Sequence, residues 1–303
     1  MERVATYSHQ NTMVQYMLKS EAKVATAQIQ QATGLKSTDY KGIADDSARV
    51  VDLESHYKRL ERYVDEGEVV SSRIQTMYDK VGGMVDLTNR LRSLVTELQG
   101  SAASNAAGVQ TEIGGLMKEF AGLLNSQQEG RYLFGGSRTD SAPVSIDAAD
   151  YAPQNTPSTA STSYYKGDNA GARFRAADDL VIDYGVTADD PGFEKALRAF
   201  SLLTSMSTNP IDTDAVNEAS DLAAQAVDGM AVAQSKLGVS SSTLERTINQ
   251  HLDSQLVLQT QVDDLKTVDV AETVSRLSQL QSSLEMTMKV MTMLQENDLS
   301  KYL

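Results

Sequence analysis

The sequence predicts a mainly α fold: a long antiparallel helical bundle, its N- and C-terminal helices paired as a coiled coil, plus a small β-rich insert domain. Three observations predict it. One apolar stripe runs from Val50 to Leu98 with a mean step of about 3.5 residues, the heptad period. Stripes of the same kind occupy both ends of the chain. Between them, residues 131–190 are rich in Gly, Pro, Asp, Ser and Thr and carry short strand-like runs.

At the N-terminal end, Val14, Leu18, Ala22, Ala25, Ile29 and Ala32 recur at steps of three and four, which places them on one helical face. The run "TGLKSTDYKG", with two glycines and small polar residues, breaks that helix. The second helix carries Val50, Leu53, Tyr57, Leu60, Val64, Val70, Ile74, Met77, Val81, Met84, Leu87, Leu91, Leu94 and Leu98, with Gly67 as a gap. About fifty such residues make a rod of about 75 Å. Gly82 and Gly83 together cost about 2 kcal/mol of helix propensity. They predict a bend or a close helix contact there, not a stop. "GSAASNAAG" reads as a loop. Val109, Ile113, Leu116, Phe120 and Leu123 then form a third helix that folds back antiparallel.

The stretch "EGRYLFGGSRTD" ends the helical hairpin. Tyr132, Leu133 and Phe134 are expected to pack a short strand against the bundle. Gly135 and Gly136 are expected to turn the chain with φ above zero. The runs "VSID", "SYYKG", "ARFRA" and "LVIDYGV" are strand-like, and "APQNTPSTASTS" is too polar for a core and reads as a surface loop. Helix returns at "DDPGFEKALRAFSLLTSM", where Asp190 can cap and Pro191 suits the first turn. A further helix starts at "NPIDTDAVNEA" and runs to about Lys266, its stripe marked by Leu237, Leu244, Ile248, Leu252, Leu256, Val262 and Leu265. The pattern restarts after Val270 with Val274, Leu277, Leu280, Leu284, Met288, Met291 and Leu294.

Composition narrows the function. The net charge of -14 would repel a phosphate backbone, so nucleic acid is not an expected partner. No cysteine is present, which removes disulfides, thiolate catalysis and Cys-ligated metals. Trp is absent and Phe occurs five times, which suits slender bundles better than a round core. The N-terminus lacks the apolar core and A-x-A site of a Sec signal, and no apolar run is long enough to span a membrane.

Chemistry-bearing constellations are weak. His9, His56 and His251 lie far apart, with no H-x-x-x-H spacing for a metal. The acidic pairs Asp45–Asp46, Asp178–Asp179 and Asp189–Asp190 are explained by caps and turns. "YLFGG" lacks the G-K-[ST] of a phosphate-binding loop. No catalytic residue, cofactor or metal is expected. Met286 and Met293 fall off the C-terminal stripe that holds Met288 and Met291. A helix apolar on several sides calls for protein on several sides. It lacks the basic face that membrane insertion would need.

Several stretches carry a resemblance. "RVATY" followed by "LKSEAKVATAQIQQATGLKSTDYKGIADDSARVVDLE", and at the other end "VSRLSQLQSSLEMTMKVMTMLQENDLSKYL", resemble the two ends of the bacterial flagellin family. "RYLFGGSRTDSAPV" resembles a run frequent in its hook–filament junction class, the third hook-associated class. "QQATGLKSTDYKGI" stands where filament flagellins usually carry "R-L-S-S-G-x-R-I-N". The filament subunit is the nearest alternative, and a helical signalling coiled coil a more distant one.

The resemblance implies a structural, non-enzymatic subunit joining hook to filament. It implies type III export without a cleaved signal, an extracellular flagellar location, and a cytoplasmic chaperone on the C-terminal helix. Its partners would be other copies of the chain, a neighbouring hook-associated protein and flagellin. The layers expected are a terminal coiled coil of residues 1–42 with 267–303, a helical bundle of 43–130 with 191–266, and a β-rich outer insert of 131–190. The assembly contacts are expected to be Val4, Tyr7, Val14, Leu18 and Ile29 against Leu277, Leu280, Leu284, Met288, Met291, Leu294, Tyr302 and Leu303.

Overall fold

The computed structural model describes residues 2–100 and 105–296. Among the described residues six α-helices are formed: α1 (Glu2–Thr33), α2 (Ala44–Gly100), α3 (Ala106–Leu124), α4 (Pro191–Ser205), α5 (Thr213–Lys266) and α6 (Val270–Glu296). Four short strands lie between α3 and α4: β1 (Gln127–Gln128), β2 (Arg131–Tyr132), β3 (Arg173–Arg175) and β4 (Val181–Asp183). They pair antiparallel as β1 with β2 and β3 with β4, giving two separate two-stranded sheets. The predicted class, mainly α with a small β part, is the observed one. The chain forms two compact units, residues 1–60 with 253–303 and residues 61–252.

In the larger unit the heptad row of α2 faces inward, except that Thr88 takes the inner position beside half-buried Leu87. Val64, Val70, Ile74, Met77, Val81, Met84, Leu91, Leu94 and Leu98 are all buried. Gly67, the gap in that row, is filled by a partner helix: a Cβ there would sit 3.1 Å from Ile248 Cδ1. Gly83 makes the close helix contact the sequence suggested, with Leu123 Cδ1 3.3 Å from a would-be Cβ, and α2 continues through it. On α3 the buried row is Val109, Ile113, Met117, Phe120 and Leu124. Leu116 and Leu123 are only half-buried, because Met117 and Leu124, one residue along, occupy the inner face.

Four of the few phenylalanines converge here. Phe120 lies 6.5 Å from Phe193 and 5.6 Å from Phe200, and Phe134 lies 6.0 Å from Phe193, ring centre to ring centre. Residues between α3 and α4 join the same core, among them Phe134, Val144, Tyr151, Tyr164, Ile182 and Tyr184. At the start of α4, Asp190 Oδ1 accepts from the Gly192 N–H at 2.9 Å and Pro191 takes the first helical position. Gly192 also touches α5 backbone to backbone, since a Cβ on Gly229 would lie 2.6 Å from Gly192 Cα.

The polar run 152–163 is fastened along its main chain. The N–H groups of Gln154, Ser158 and Ser161 donate to Ser201 Oγ, Glu218 Oε1 and Glu194 Oε1 at 3.1, 3.0 and 3.1 Å. Helix side chains thus satisfy backbone donors that no strand partner reaches.

The inward row of α5 differs from the predicted stripe. Leu244, Leu258 and Val262 are buried, but so are Thr247 and Gln255, while Leu252 and Leu256 are exposed. His251, half-buried, continues the inner row. Its Nε2 donates to the Ala176 carbonyl at 2.7 Å, and its ring stacks on Tyr63 with centroids 5.6 Å apart. Polar residues occupy seam positions, so a count of apolar residues alone steps onto the neighbouring face.

Candidate assembly interface

The terminal helices α1 and α6 pack together in the smaller unit. Their shared core is small: Val24, Ala27 and Leu277 are buried, with Leu280 and Leu284 packed against them. On α6 the inner face reads Thr273, Leu277, Leu280, Leu284, Thr287 and Met291 at steps of four and three. Small Ala27 is almost fully buried against this leucine face.

The expected contact residues divide accordingly. Leu277, Leu280 and Leu284 pack against α1, and Met291 and Val14 are half-buried. Leu18 and Ile29 do not face α6; they are 56% and 52% exposed. Each lies one or two positions off the inner row of Met17, Val24 and Ala27, which turns it well away from the seam. Met288 is exposed for the same reason, because Thr287 holds the seam position. Val4 and Tyr7 fall on α1 and Leu294 on α6, their side chains outside the described part; Tyr302 and Leu303 lie outside the described residues.

A single chain therefore leaves apolar side chains on the outer faces of both terminal helices. Tyr16, Leu18 and Ile29 project from α1, and Val274, Met286, Val290 and Met293 from α6. Covering such side chains with another protein would remove apolar surface from water and stabilise the pair.

The connections beside this pair are locked to each other. α1 ends at Thr33, and Gly34 adopts φ +71°. Lys36 N–H donates to the Lys266 carbonyl at 2.7 Å, and Val268 N–H to the Gly34 carbonyl at 2.9 Å. Glu54 on α2 sits between two donors: the Tyr40 hydroxyl at 2.7 Å and Lys266 Nζ at 2.9 Å. Ile43, Val50 and Val262 close a second small core beneath them. The Tyr40 hydroxyl first, and Lys266 second, hold the Glu54 carboxyl below its ordinary value of 4.5.

A depressed carboxylate stabilises the fold above its unfolded pKa and loses that contribution as pH falls through the folded value. Protonation at Glu54 should therefore loosen this connection only below about pH 4.5. Glu54→Gln should do so at neutral pH, at a cost of about 1 kcal/mol for a partly exposed pair. Hydrogen exchange at the Lys36 and Val268 amides, corrected for intrinsic rates, reads both effects. Unchanged protection in Glu54→Gln would reject the lock.

The turn into the insert is built from backbone contacts. β1 and β2 pair with Gln127 opposite Tyr132 and Gln128 opposite Arg131. Glu129 and Gly130 between them have φ +52° and +75°, as a two-residue hairpin loop requires. The strand itself covers only Arg131–Tyr132; Tyr132 is half-buried, and Leu133 and Phe134 enter the core. Gly136 takes φ +68°, and a Cβ there would lie 2.2 Å from the Asp168 carbonyl oxygen. Gly135 does not adopt positive φ, contrary to the sequence expectation; its glycine is needed because a Cβ would meet the Arg138 carbonyl at 2.4 Å.

Asp168 completes this turn. Its carboxylate accepts from the Ser137 N–H at 2.8 Å, the Ala170 N–H at 3.0 Å and the Ser137 hydroxyl. Those bonds, the Ser137 hydroxyl first, hold it below the usual carboxylate range. Gly136→Ala combines left-handed strain with a backbone clash and should cost at least about 2 kcal/mol, seen as a lower urea midpoint. A midpoint within error of the parent would contradict this geometry.

The comparisons follow the same division of the chain. The profile of the bacterial flagellin N-terminal helical region matches residues 4–139, and that of the bacterial flagellin C-terminal helical region matches residues 220–303. The chain belongs to the bacterial flagellin family. Both matched regions include a terminal helix and stop short of residues 140–219. The fold of this flagellin-family chain is similar to that of a Vibrio parahaemolyticus protein assigned to the flagellar hook-associated class, at TM-score 0.61 and 16% identity, over 76% of this chain and 99% of that one. It is also similar to FlgL of Bacillus cereus (TM-score 0.57, 14% identity, 71% and 99% covered). FlgL of Xanthomonas campestris is a third (TM-score 0.57, 12% identity, 68% and 98% covered). No curated protein sequence matches it significantly. Among the described residues, no helix of this flagellin-family chain is long and apolar enough to cross a membrane.

Proposed function

We propose that this chain is a structural subunit of the bacterial flagellum that joins hook to filament and allows flagellin to polymerise. The observation that carries the reading is the uncovered apolar surface on both terminal helices of a flagellin-family chain. Surface of that kind on α1 and α6 is what neighbouring subunits of a tube would bury. Segments 1–42 and 267–303 form its inner layer, the rest of the helices the surrounding bundle, and residues 131–190 the outer face. Partners are other copies, a neighbouring hook-associated protein and flagellin. The chain reaches the extracellular flagellum by type III export, with a cytoplasmic chaperone on α6 beforehand. The role is structural rather than catalytic.

The sequence favours the junction over the filament through "RYLFGG" and through "QQATGLKSTDYKGI", which replaces the usual filament turn. A clean deletion in the source organism separates the two. Hooks without filaments, with flagellin lost to the medium, are expected. Hooks without filaments and no flagellin in the medium would make this chain the filament subunit. Unaltered, motile flagella would refute both.

A further inference from the structure

In the larger unit a groove of about 600 Å³ opens between α2 and the segments around β2 and β3. Its floor is apolar, formed by buried Val70, Met77, Leu133 and Phe174. Its sides carry three cations to one anion: Arg73 and Glu66 from α2, Arg131 from β2 and Arg173 from β3. Three guanidinium groups around one groove run against the trend of a chain with net charge -14.

Their local pairing is thin. Among the described residues, the Arg131 side chain has no hydrogen-bond or ion-pair partner. Arg173 reaches Asp183 at 3.6 Å in an exposed pair. Arg73 donates to the Tyr184 hydroxyl at 3.4 Å, and its Nε is buried with no acceptor. A buried donor in that state is costly, and a carboxylate is the acceptor that fits a guanidinium fork.

We propose that this groove receives an acidic segment from a second copy of the chain, a carboxylate lying against Arg73 and Arg131 and an apolar neighbour on the floor. The inference rests on the assembly reading above. Charge complementarity argues for the occupant: Asp and Glu outnumber Lys and Arg by 41 to 27, so every copy offers acidic surface. Size and floor argue against a bare inorganic anion. The groove holds many times the roughly 30 Å³ of one water, and an apolar floor gives phosphate nothing. Val69, 45% exposed at the rim, continues the apolar floor outward.

The test places a photoreactive benzophenone amino acid at Val69 in the full chain, expressed in the source organism, and irradiates intact flagella. The expected result is a dimer-sized product in which position 69 is joined to an Asp- or Glu-bearing peptide of a second copy. Arg131→Glu has no local partner to lose, so it should fold and assemble, and it should cut that product roughly tenfold through like-charge repulsion. A product with a different protein, a product confined to one chain, or a yield unmoved by Arg131→Glu overturns the proposal. Incorporation without any crosslink overturns the groove's role and leaves the assembly reading standing. Absence of the chain from flagella overturns both.

Discussion

Truncation after Ser283 should abolish filament formation while leaving residues 61–252 folded. The cut removes Leu284 and Met291 from the seam with α1, and with them the exposed Met286, Met288, Val290 and Met293. What remains of the shared core is Val24, Ala27, Leu277 and Leu280, too little apolar surface to hold two long helices together. The core of the larger unit contains none of the removed residues. The expected phenotype is hooks without filaments, and the purified variant should keep the main thermal transition within a few degrees, about the resolution of a 1 kcal/mol change. Filaments of normal length on cells carrying only the truncated chain would refute the assigned role of α6.

The largest single-residue loss of stability should come from Phe193→Ala. Phe193 is fully buried and stands edge-on to both Phe120 and Phe134, at 67° and 80°. It therefore ties α4 to α3 and to the turn that leads into the insert. Removing a buried phenylalanine costs about 3–5 kcal/mol, a large part of the 5–15 kcal/mol typical of a domain. Phe193→Leu keeps most of the volume and should cost clearly less. Urea titration followed by circular dichroism measures both. A loss below about 1 kcal/mol for Phe193→Ala would mean that the aromatic cluster is not what holds these elements together.

Where a helix buries almost only apolar residues, as α2 does apart from fully buried Thr88, the sequence is readable. α2 is the clearest case: its row from Val50 to Leu98 has almost no polar intruder, and every member is buried or half-buried. The cap at Asp190, the end of α5 at Lys266 and the restart of α6 were legible because each rests on local chemistry; Asp269 Oδ1, for instance, accepts from the Ala271 N–H at 2.8 Å. Faces were misread where seam positions carry Ser, Thr, Gln or His. On α1 the alanines Ala22, Ala25 and Ala32 marked a stripe that turns out to be exposed, while Ser20 and Gln30 sit half-buried on the inner side.

The non-local parts left no trace in the sequence. The lock of Tyr40, Glu54 and Lys266 spans more than two hundred positions, and although Tyr40 and Glu54 lie in the N-terminal stretch that carries the resemblance, nothing there pairs either with Lys266. The three arginines of the groove come from three elements. Only the fold brings them together. The counterpart of the "YLFGG" turn, Asp168, lies 31 residues beyond Ser137 with nothing nearby to mark it.

The loop of residues 152–163 is held mainly by its amide hydrogens, which every residue except proline possesses, with the Ser158 hydroxyl adding one side-chain bond to Glu218. Side chains at Thr159, Thr162 and Ser163 point to solvent, while the groups that do the holding, Glu194, Ser201 and Glu218, belong to the helices beneath. The exposed positions of such a segment can change their lettering without changing its course. It is the part of the molecule best suited to carry sequence diversity at the surface, or an inserted epitope, while the subunit's architecture stays constant.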